Sequence, residues 1–434
     1  MPNSKYKRVS VIGLGYIGLP TAAMFASRKI QVIGVDVNKR AVDTINQGKI
    51  HIVEPDLDMI VQASVSEGYL RATTIPEAAD AFLIAVPTPF IDDHKPDLSF
   101  VKAATLSIAP VLKKGDLVIL ESTSPVGTTE QMMDWLAEAR PDLSFPKNNS
   151  ECDVNIAYCP ERVLPGQVVR ELVENDRIIG GITATCSQRA TELYRIFVKG
   201  QLLVSNSRTA EMAKLTENSY RDVNIAFANE LSMICDKLDI DVSELIKLAN
   251  HHPRVKILQP GCGVGGHCIA VDPWFIVDKT PNEAQLIRTA REVNDEKPKW
   301  VLGKIQSAVA HLVSQGREEN SISVAILGLA FKPNIDDLRE SPALQIAKSF
   351  SESTQTRLLI VEPNIESLPE ALKKHSLISL ESALSEADIT VLLVKHNEFS
   401  NVTETHLTSK KLIDATASST HSHINTQRRD CALV

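Results

Sequence analysis

The sequence predicts an α/β chain: two doubly wound parallel sheets joined by a central long helix and a helical domain. Three observations carry this. Short apolar runs alternate with helix-like segments in the first third and again in the last third, the pattern of parallel strands covered by helices on both faces. Between them, residues 207–238 contain neither proline nor glycine, enough for a helix of roughly 45 Å at 1.5 Å per residue. A length of 434 residues, at roughly 150 residues per domain, asks for two or three domains.

In chain order, strands are expected at Val9–Ile12, Gln31–Val35, Ala81–Val86, Asp116–Glu121, Asp153–Tyr158 and Arg177–Ile179. Each ends in a polar or Gly/Pro-rich stretch, where a doubly wound sheet presents its ligand-binding loops. A helix is expected at Ile17–Arg28, and residues 146–150 read as a surface loop. On the long helix Lys214, Asn218 and Arg221 fall at i, i+4 and i+7, and so on one face. A helix of that length joins two domains or forms a subunit interface. A second helical region, Pro281 to Val313, follows a glycine-rich loop. Strands are expected to resume at Ser323–Leu327, Arg357–Val361, Ile389–Val394 and Lys411–Ile413, so that the two α/β thirds would be related architectures, and the aperiodic tail after Ala415 is expected to be frayed.

Composition limits function. Hydrophobic residues make up 43% and charged residues 23%, as in globular proteins. The formal net charge of −8 offers no overall basic field for nucleic acid, so an acidic ligand needs a local basic site. Seven scattered cysteines (Cys152, Cys159, Cys186, Cys235, Cys262, Cys268 and Cys431) argue against a disulfide framework and for a reducing compartment. The apolar run Val9–Leu14 is too short for a signal-peptide core. Nothing approaches the ~20 apolar residues that span a bilayer. A cytoplasmic chain without membrane insertion is expected.

Gly13-Leu14-Gly15-Tyr16-Ile17-Gly18 closes the first strand and opens a helix. Glycines there allow a tight turn, close approach of backbone to a pyrophosphate and helix–strand packing, the mark of a Rossmann-like dinucleotide site. Asp36, 23 residues after Gly13, ends the second strand, where a carboxylate accepts hydrogen bonds from ribose hydroxyls and repels the 2′-phosphate of NADP. NAD is favoured, although Lys39 and Arg40 lie close by. Thr88, Thr123 and Thr129 follow strands of the same sheet; small hydroxyl residues there meet a nicotinamide ribose or phosphate without crowding it, and ordinary turn chemistry uses them too.

The most unusual segment is Gln259–Pro273, in which Gly261, Gly263, Gly265 and Gly266 precede Cys268. Three roles compete for that cysteine. Zinc favours separated pairs such as C-x-x-C, whereas His267 and Cys268 are adjacent and Cys262 stands six residues away. A buried structural thiol is the second. The third is a nucleophile on a loop that wraps a ligand. A dehydrogenase needs a thiol when it carries an alcohol past the aldehyde to the acid: the thiolate adds to the carbonyl, a second oxidation gives a thioester, and water cleaves it. Lys214 can stabilise the alcohol oxygen, and Asp272 or Glu161 can move protons; each can equally form a surface ion pair.

Together these residues resemble the UDP-glucose/GDP-mannose 6-dehydrogenase family from about Val9 to Asp414. The segments His51–Pro55, Tyr158–Gly166, Asn250–Arg254, Gly263–Asp272 and Phe331–Pro342 carry the likeness. The resemblance implies an NAD domain at 1–206, a central helical dimerisation and catalytic domain at 207–316 and a C-terminal UDP-sugar-binding α/β domain at 317–434. It implies Cys268 as nucleophile with Lys214, Asn218 and Asp272 assisting, and Glu161 serving thioester hydrolysis. Arg162, Val163, Lys214, Asn218, Arg221, His252, Arg254, Gly265, Phe331, Lys332 and Arg339 would line the nucleotide-sugar pocket. Gly13, Gly15, Tyr16, Ile17, Gly18, Asp36, Thr88, Thr123 and Thr129 would hold NAD. The partners it implies are a UDP-sugar and a second copy of the chain, Arg254 reaching across the homodimer, with no metal. The implied reaction is four-electron oxidation of UDP-N-acetyl-D-mannosamine at C6, which consumes two NAD. Its product would serve bacterial surface polysaccharides such as enterobacterial common antigen.

Two departures bear on this. UDP-glucose members carry a lysine directly before the aspartate, where this chain has Val271, and the run Asp414–Thr420 departs from the family's usual ending. Oxidation of UDP-N-acetylglucosamine is the nearest alternative. A β-hydroxyacid dehydrogenase shares the NAD domain and a helix-borne lysine but needs no thiol.

Overall fold

The computed structural model describes residues 5–91, 94–146, 151–164, 166–266, 268–400, 402 and 411–416. Residues 147–150 of the loop expected at 146–150 and the tail beyond residue 416 lie outside them. The chain divides into two compact units, one taking Met1–Glu217 with Trp274–Pro281 and the other Asn218–Pro273 with Asn282–Val434. Among the described residues no helix is long and apolar enough to cross a membrane.

The first unit is built on β1 (Arg8–Ile12), β2 (Gln31–Val35), β3 (Leu70–Thr73) and β4 (Ala81–Ile84), then a short hairpin of β5 (Phe90–Ile91) and β6 (Lys95–Pro96), then β7 (Leu117–Leu120), β8 (Asn155–Tyr158), β9 (Arg177–Gly181) and β10 (Leu202–Asn206). Eight of these form one sheet in the order β10-β9-β8-β7-β4-β1-β2-β3. Residues alternate between its faces. Val9 and Val11 pack with Leu19 and Phe25 on one side, and Ile12 with Ile33, Phe82 and Ile108 on the other, each fully buried apolar side chain contributing roughly 1.5–3 kcal/mol.

Here the structure corrects the all-parallel expectation. β8 and β9 pair antiparallel, Ala157 opposite Gly181 and Tyr158 opposite Gly180. A parallel return needs a crossover that carries the chain back along the sheet, and the helix between these strands, Val168–Glu174, has only 7 residues. The edge strands β3 and β10 escape the sequence pattern because β3 alternates apolar with polar residues and the apolar run of β10 is only Leu202-Leu203-Val204, the last two exposed. The strand expected to reach Val86 stops at Ile84, ahead of Pro87 and Pro89, which lack the N–H a ladder needs.

The second unit carries β11 (Ser323–Leu327), β12 (Arg357–Val361), β13 (Ser376–Leu377), β14 (Ile389–Leu392) and β15 (Lys411–Asp414), all parallel, in the order β13-β12-β11-β14-β15. Val324 and Ile326 face Ile346 and Phe350, while Ala325 and Leu327 face Ala383 and Phe399. This sheet repeats the corner geometry of the first. Gly13 (φ +90°) donates to the Val35 carbonyl at 2.8 Å, and Gly328 (φ +92°) donates to the Val361 carbonyl at 2.9 Å. The next amide in each case reaches the acid that ends the second strand: Leu14 N–H donates to Asp36 at 2.9 Å, and Leu329 N–H to Glu362 at 2.7 Å. The two α/β thirds are therefore related, as their patterns suggested.

The long helix runs Ser207–Leu238, the extent its lack of Pro and Gly predicts. The second helical region begins at Gln285 and runs to Ser314 through Pro298. That proline breaks the ladder locally and packs on Gly263, whose absent Cβ would lie 3.0 Å from Pro298 Cγ.

Candidate active site

In the first unit the glycine turn is shaped for a dinucleotide. A Cβ on Gly13 would meet the Ala85 carbonyl oxygen at 2.5 Å and one on Gly18 would meet the Gly13 oxygen at 1.8 Å, so both must be glycine. A Cβ on Gly15 would meet no protein atom within 4 Å. The backbone there faces open space before the helix Gly18–Ser27, where N–H groups and the helix dipole attract phosphate. Ile17 is the cap residue of that helix, and Tyr16 is exposed. Asp36 is held by two amides, Leu14 N–H at 2.9 Å and Asn38 N–H at 2.8 Å, and a carboxylate so held keeps acceptor capacity for ribose hydroxyls. These residues fit NAD.

Thr88 and Thr123 come together: the Thr88 hydroxyl donates to the Thr123 carbonyl at 2.6 Å. Thr129 is fully buried in the first turn of the helix Thr128–Ala139, with its hydroxyl and its amide both donating to Glu211, at 2.6 and 2.8 Å. Glu211 of the long helix also accepts from Gly127 N–H at 2.6 Å, and so caps the helix Thr128–Ala139. Burial raises the Glu211 carboxyl, against the pull of those hydrogen bonds. Nothing in the sequence spacing marked Glu211 for this role.

Glu161, Arg162 and Val163 are half-buried beyond β8. Arg162 pairs with Glu217 at 3.0 Å and donates its backbone N–H to Glu161 Oε1 at 2.7 Å. Glu54, from the segment His51–Pro55, accepts from the amides of Gly166 and Val168 at 2.9 and 2.7 Å. Two of the segments that carried the resemblance are therefore one structural piece. Lys214 is half-buried on the long helix, one turn before Asn218.

In the second unit Cys268 is exposed, in a turn just before the helix Asp272–Lys279. Its carbonyl accepts from the Val271 and Asp272 amides at 3.1 and 2.9 Å. Asp272 is buried and accepts from the Asn218 side-chain amide at 2.5 Å. The glycine loop ahead of the cysteine lies on the segment Phe331–Pro342: a Cβ on Gly265 would sit 2.4 Å from the Glu340 carbonyl and 2.9 Å from Phe331 Cβ. Only glycine allows that approach. Arg339 makes a two-pronged pair with Asp337, and Lys332 is exposed. His252 and Arg254 are exposed beyond the helix Val242–Ala249, as is Arg221 on the long helix. His267 lies outside the described residues, among which no three metal-ligating side chains converge.

The sequence missed two buried polar groups. In the first unit Glu121, Arg177 and Tyr194 cluster behind Glu161. In the second, Asp222 pairs with Arg291 at 2.6 Å and with Asn294 at 2.8 Å, and Asn294 passes the chain through Asn229 to the Gly261 amide at 2.8 Å. These residues are far apart in sequence and form no motif, so only the fold brings them together.

Comparison with known proteins agrees with the geometry. Residues 7–198 match the NAD binding domain of the UDP-glucose/GDP-mannose dehydrogenase family, residues 208–296 its central domain and residues 325–418 its UDP binding domain. The chain is 62% identical over 410 residues to an NDP-N-acetyl-D-galactosaminuronic acid dehydrogenase of Ralstonia nicotianae, covering 94% of this chain and 95% of that one. It is also 62% identical over 414 residues to a UDP-N-acetyl-D-mannosamine dehydrogenase of Yersinia pestis, covering 94% and 98%. Its fold matches the structure of a UDP-D-ManNAc dehydrogenase from Pyrococcus horikoshii with a TM-score of 0.83 at 39% identity, covering 94% and 95%. The chain belongs to the UDP-glucose/GDP-mannose dehydrogenase family and is an NAD-dependent nucleotide-sugar dehydrogenase.

Proposed function

We propose that the chain oxidises UDP-N-acetyl-D-mannosamine at C6 to the uronate, in two oxidations linked by a Cys268 thioester. One observation carries the reading: an exposed thiol in a glycine loop stands next to an aspartate that Asn218 fixes, in a chain that also has an NAD turn. NAD, when bound, accepts the two electrons of each oxidation. The backbone of Gly13, Gly15, Tyr16, Ile17 and Gly18 would cradle its phosphates, Asp36 its ribose, and Thr88 and Thr123 the strand ends near its nicotinamide half, while Thr129, buried in the helix that follows and bonded to Glu211, would act only by shaping that loop.

The chain's own residues do the rest. Lys214 holds the C6 oxygen and stabilises its developing negative charge. Asn218 and Asp272 form one polar unit that orients this oxygen and moves its proton. The Cys268 sulfur adds to the aldehyde carbon, and the second oxidation leaves a thioester. Water then adds to that carbon with Glu161 taking its proton, the C–S bond breaks, and the thiolate is restored. Arg162 and Val163 of the first unit, and Arg221, His252, Arg254, Gly265, Phe331, Lys332 and Arg339 of the second, are each assigned to the nucleotide sugar, the cations among them suiting a diphosphate. The domain division of 1–206, 207–316 and 317–434 follows these roles, and a cytoplasmic setting keeps the thiol reduced.

A homodimer belongs to the proposal. Tyr220, Phe227 and Ile234 repeat every seven residues on the long helix, exposed by 71%, 51% and 46%. An apolar seam of that spacing suits a partner helix. Arg254 would complete the partner's pocket across it.

A second reading, an N-acetylgalactosamine-type sugar, draws on the Ralstonia relative, equal in identity. Both readings face one assay, NADH release and product analysis over a panel of UDP- and GDP-sugars. Two NADH per UDP-N-acetylmannosamine with uronate as product is expected. One NADH per sugar, or an aldehyde end product, overturns the thioester route. A clear preference for UDP-N-acetylgalactosamine selects the second reading.

A further inference from the structure

Glu161 is backed by a buried cluster drawn from four segments. Arg177 of β9 is 4% exposed and pairs with Glu161 on one side and with Glu121, at 3.4 Å, on the other. Its guanidinium lies 4.1 Å from the Tyr194 ring centre. Tyr194, at the end of the helix Ala184–Tyr194, donates to Glu121 Oε1 at 2.6 Å. The buried Cys159 thiol is the remaining titratable group facing them. Two carboxylates therefore share one cation, so the charge on Glu121 sets how much of Arg177 is left for Glu161. Glu121 Oε2 and Arg177 Nη1 have no hydrogen-bond partner among the described residues, and an unpaired buried carboxylate oxygen favours the protonated acid.

We propose that Arg177 is a positioning residue for Glu161, and that Glu121 with Tyr194 makes this positioning depend on a single proton. The proposal rests on the reading that Glu161 serves thioester hydrolysis. In that step the water oxygen bonds to the thioester carbon, the sulfur leaves with the C–S electron pair, and the water proton passes to the Glu161 carboxylate. Arg177 touches neither water nor carbon. It fixes one Glu161 oxygen while the Arg162 N–H fixes the other, and each oxygen keeps a lone pair for the water.

The direction of the pH effect follows from the charges. Burial lifts the Glu121 carboxyl to about 7, against the pull of Arg177 and the Tyr194 hydroxyl. Below that pH, neutral Glu121 leaves Arg177 bound to Glu161 alone. Above it, ionised Glu121 competes for the cation and loosens its hold on the Glu161 oxygen, which is then free to meet the water. Hydrolysis of the acyl-enzyme should therefore accelerate through an inflection near neutrality.

The test follows the acyl adduct on Cys268 by rapid quench and intact-protein mass spectrometry, in full-length enzyme mixed with NAD and UDP-N-acetylmannosamine. Arg177→Lys is expected to slow adduct decay about 10- to 100-fold, the scale of a misplaced catalytic group, with adduct formation unchanged. Glu121→Gln should remove the inflection, and Tyr194→Phe should move it to higher pH. Slow decay in Glu161→Gln, with Arg177→Lys and Glu121→Gln decaying as wild type does, overturns the proposal and leaves Arg177 as an ion pair of the fold. Decay in Glu161→Gln at the wild-type rate overturns the reading of Glu161 itself, and the proposal with it. If Arg177→Lys does not fold, the pH profile of Glu121→Gln, which preserves shape, decides alone.

Discussion

The Asn218 side-chain amide donates a 2.5 Å hydrogen bond to Asp272, joining the long helix to the start of the helix that follows Cys268. Both residues are buried, at 8% and 3% exposure. The carboxylate is thereby held in one orientation one turn from the thiol-bearing residue. Replacing Asp272 by Asn keeps the shape and removes the carboxylate proposed above to move the proton, so kcat is expected to fall about 10²- to 10⁴-fold with little change in thermal stability. Asn218→Ala instead strips a buried carboxylate of this partner, and should cost about 1–3 kcal/mol of stability as well as activity. Steady-state kinetics with thermal unfolding of both variants separates the two effects.

Cys268→Ala should bring uronate formation to background while the protein remains folded, because the residue is exposed and its side chain supports no core. NADH release per sugar and product analysis by mass spectrometry check this. Uronate made at the parent rate would remove Cys268 from the mechanism.

The Glu362–His396 pair predicts acid sensitivity. Burial pushes the Glu362 carboxyl up, but the hydrogen bond from His396 and the amides of Leu329 and Asn364 outweigh it and bring it down to about 2. A carboxyl depressed in the folded state stabilises the fold above its unfolded value of about 4.3, and that contribution is lost as pH falls toward 2. By linkage it amounts to about 3 kcal/mol. Urea unfolding between neutral and acid pH should show the loss, and Glu362→Gln should flatten it.

A charge placed in the exposed seam of the long helix should dissociate the proposed dimer. Phe227→Asp is expected to shift the mass in light scattering to the 47.6 kDa of one chain. Activity should fall with it if Arg254 serves the partner's pocket. An unchanged mass would move the interface elsewhere.

Much of this was legible in the sequence, because local rules governed it. The Gly13–Gly18 turn, Asp36 at a strand end and the uninterrupted helix Ser207–Leu238 are each set by residues near one another. The antiparallel β8–β9 pair was not legible, since strand direction depends on where the intervening chain returns. Nor was the capping of the helix at Thr128 by Glu211, 82 residues on from Thr129. Gly265 could be read as a loop glycine, but the Glu340 carbonyl and the Phe331 Cβ that make it obligatory come from a distant segment. Glu121 and Arg177 looked like ordinary strand-end residues until the sheet set them side by side.

The twin glycine corners carry opposite consequences for change by mutation. Asp36 is half-buried and held by the Leu14 and Asn38 amides, so selection can alter it to suit a different ligand without dismantling the sheet. Glu362 is 3% exposed and saturated by Leu329, Ala330, Asn364 and His396, so the same corner has become a strut that few substitutions can replace. Drift at position 36 would register as altered cofactor choice, and drift at position 362 as lost stability of the second sheet.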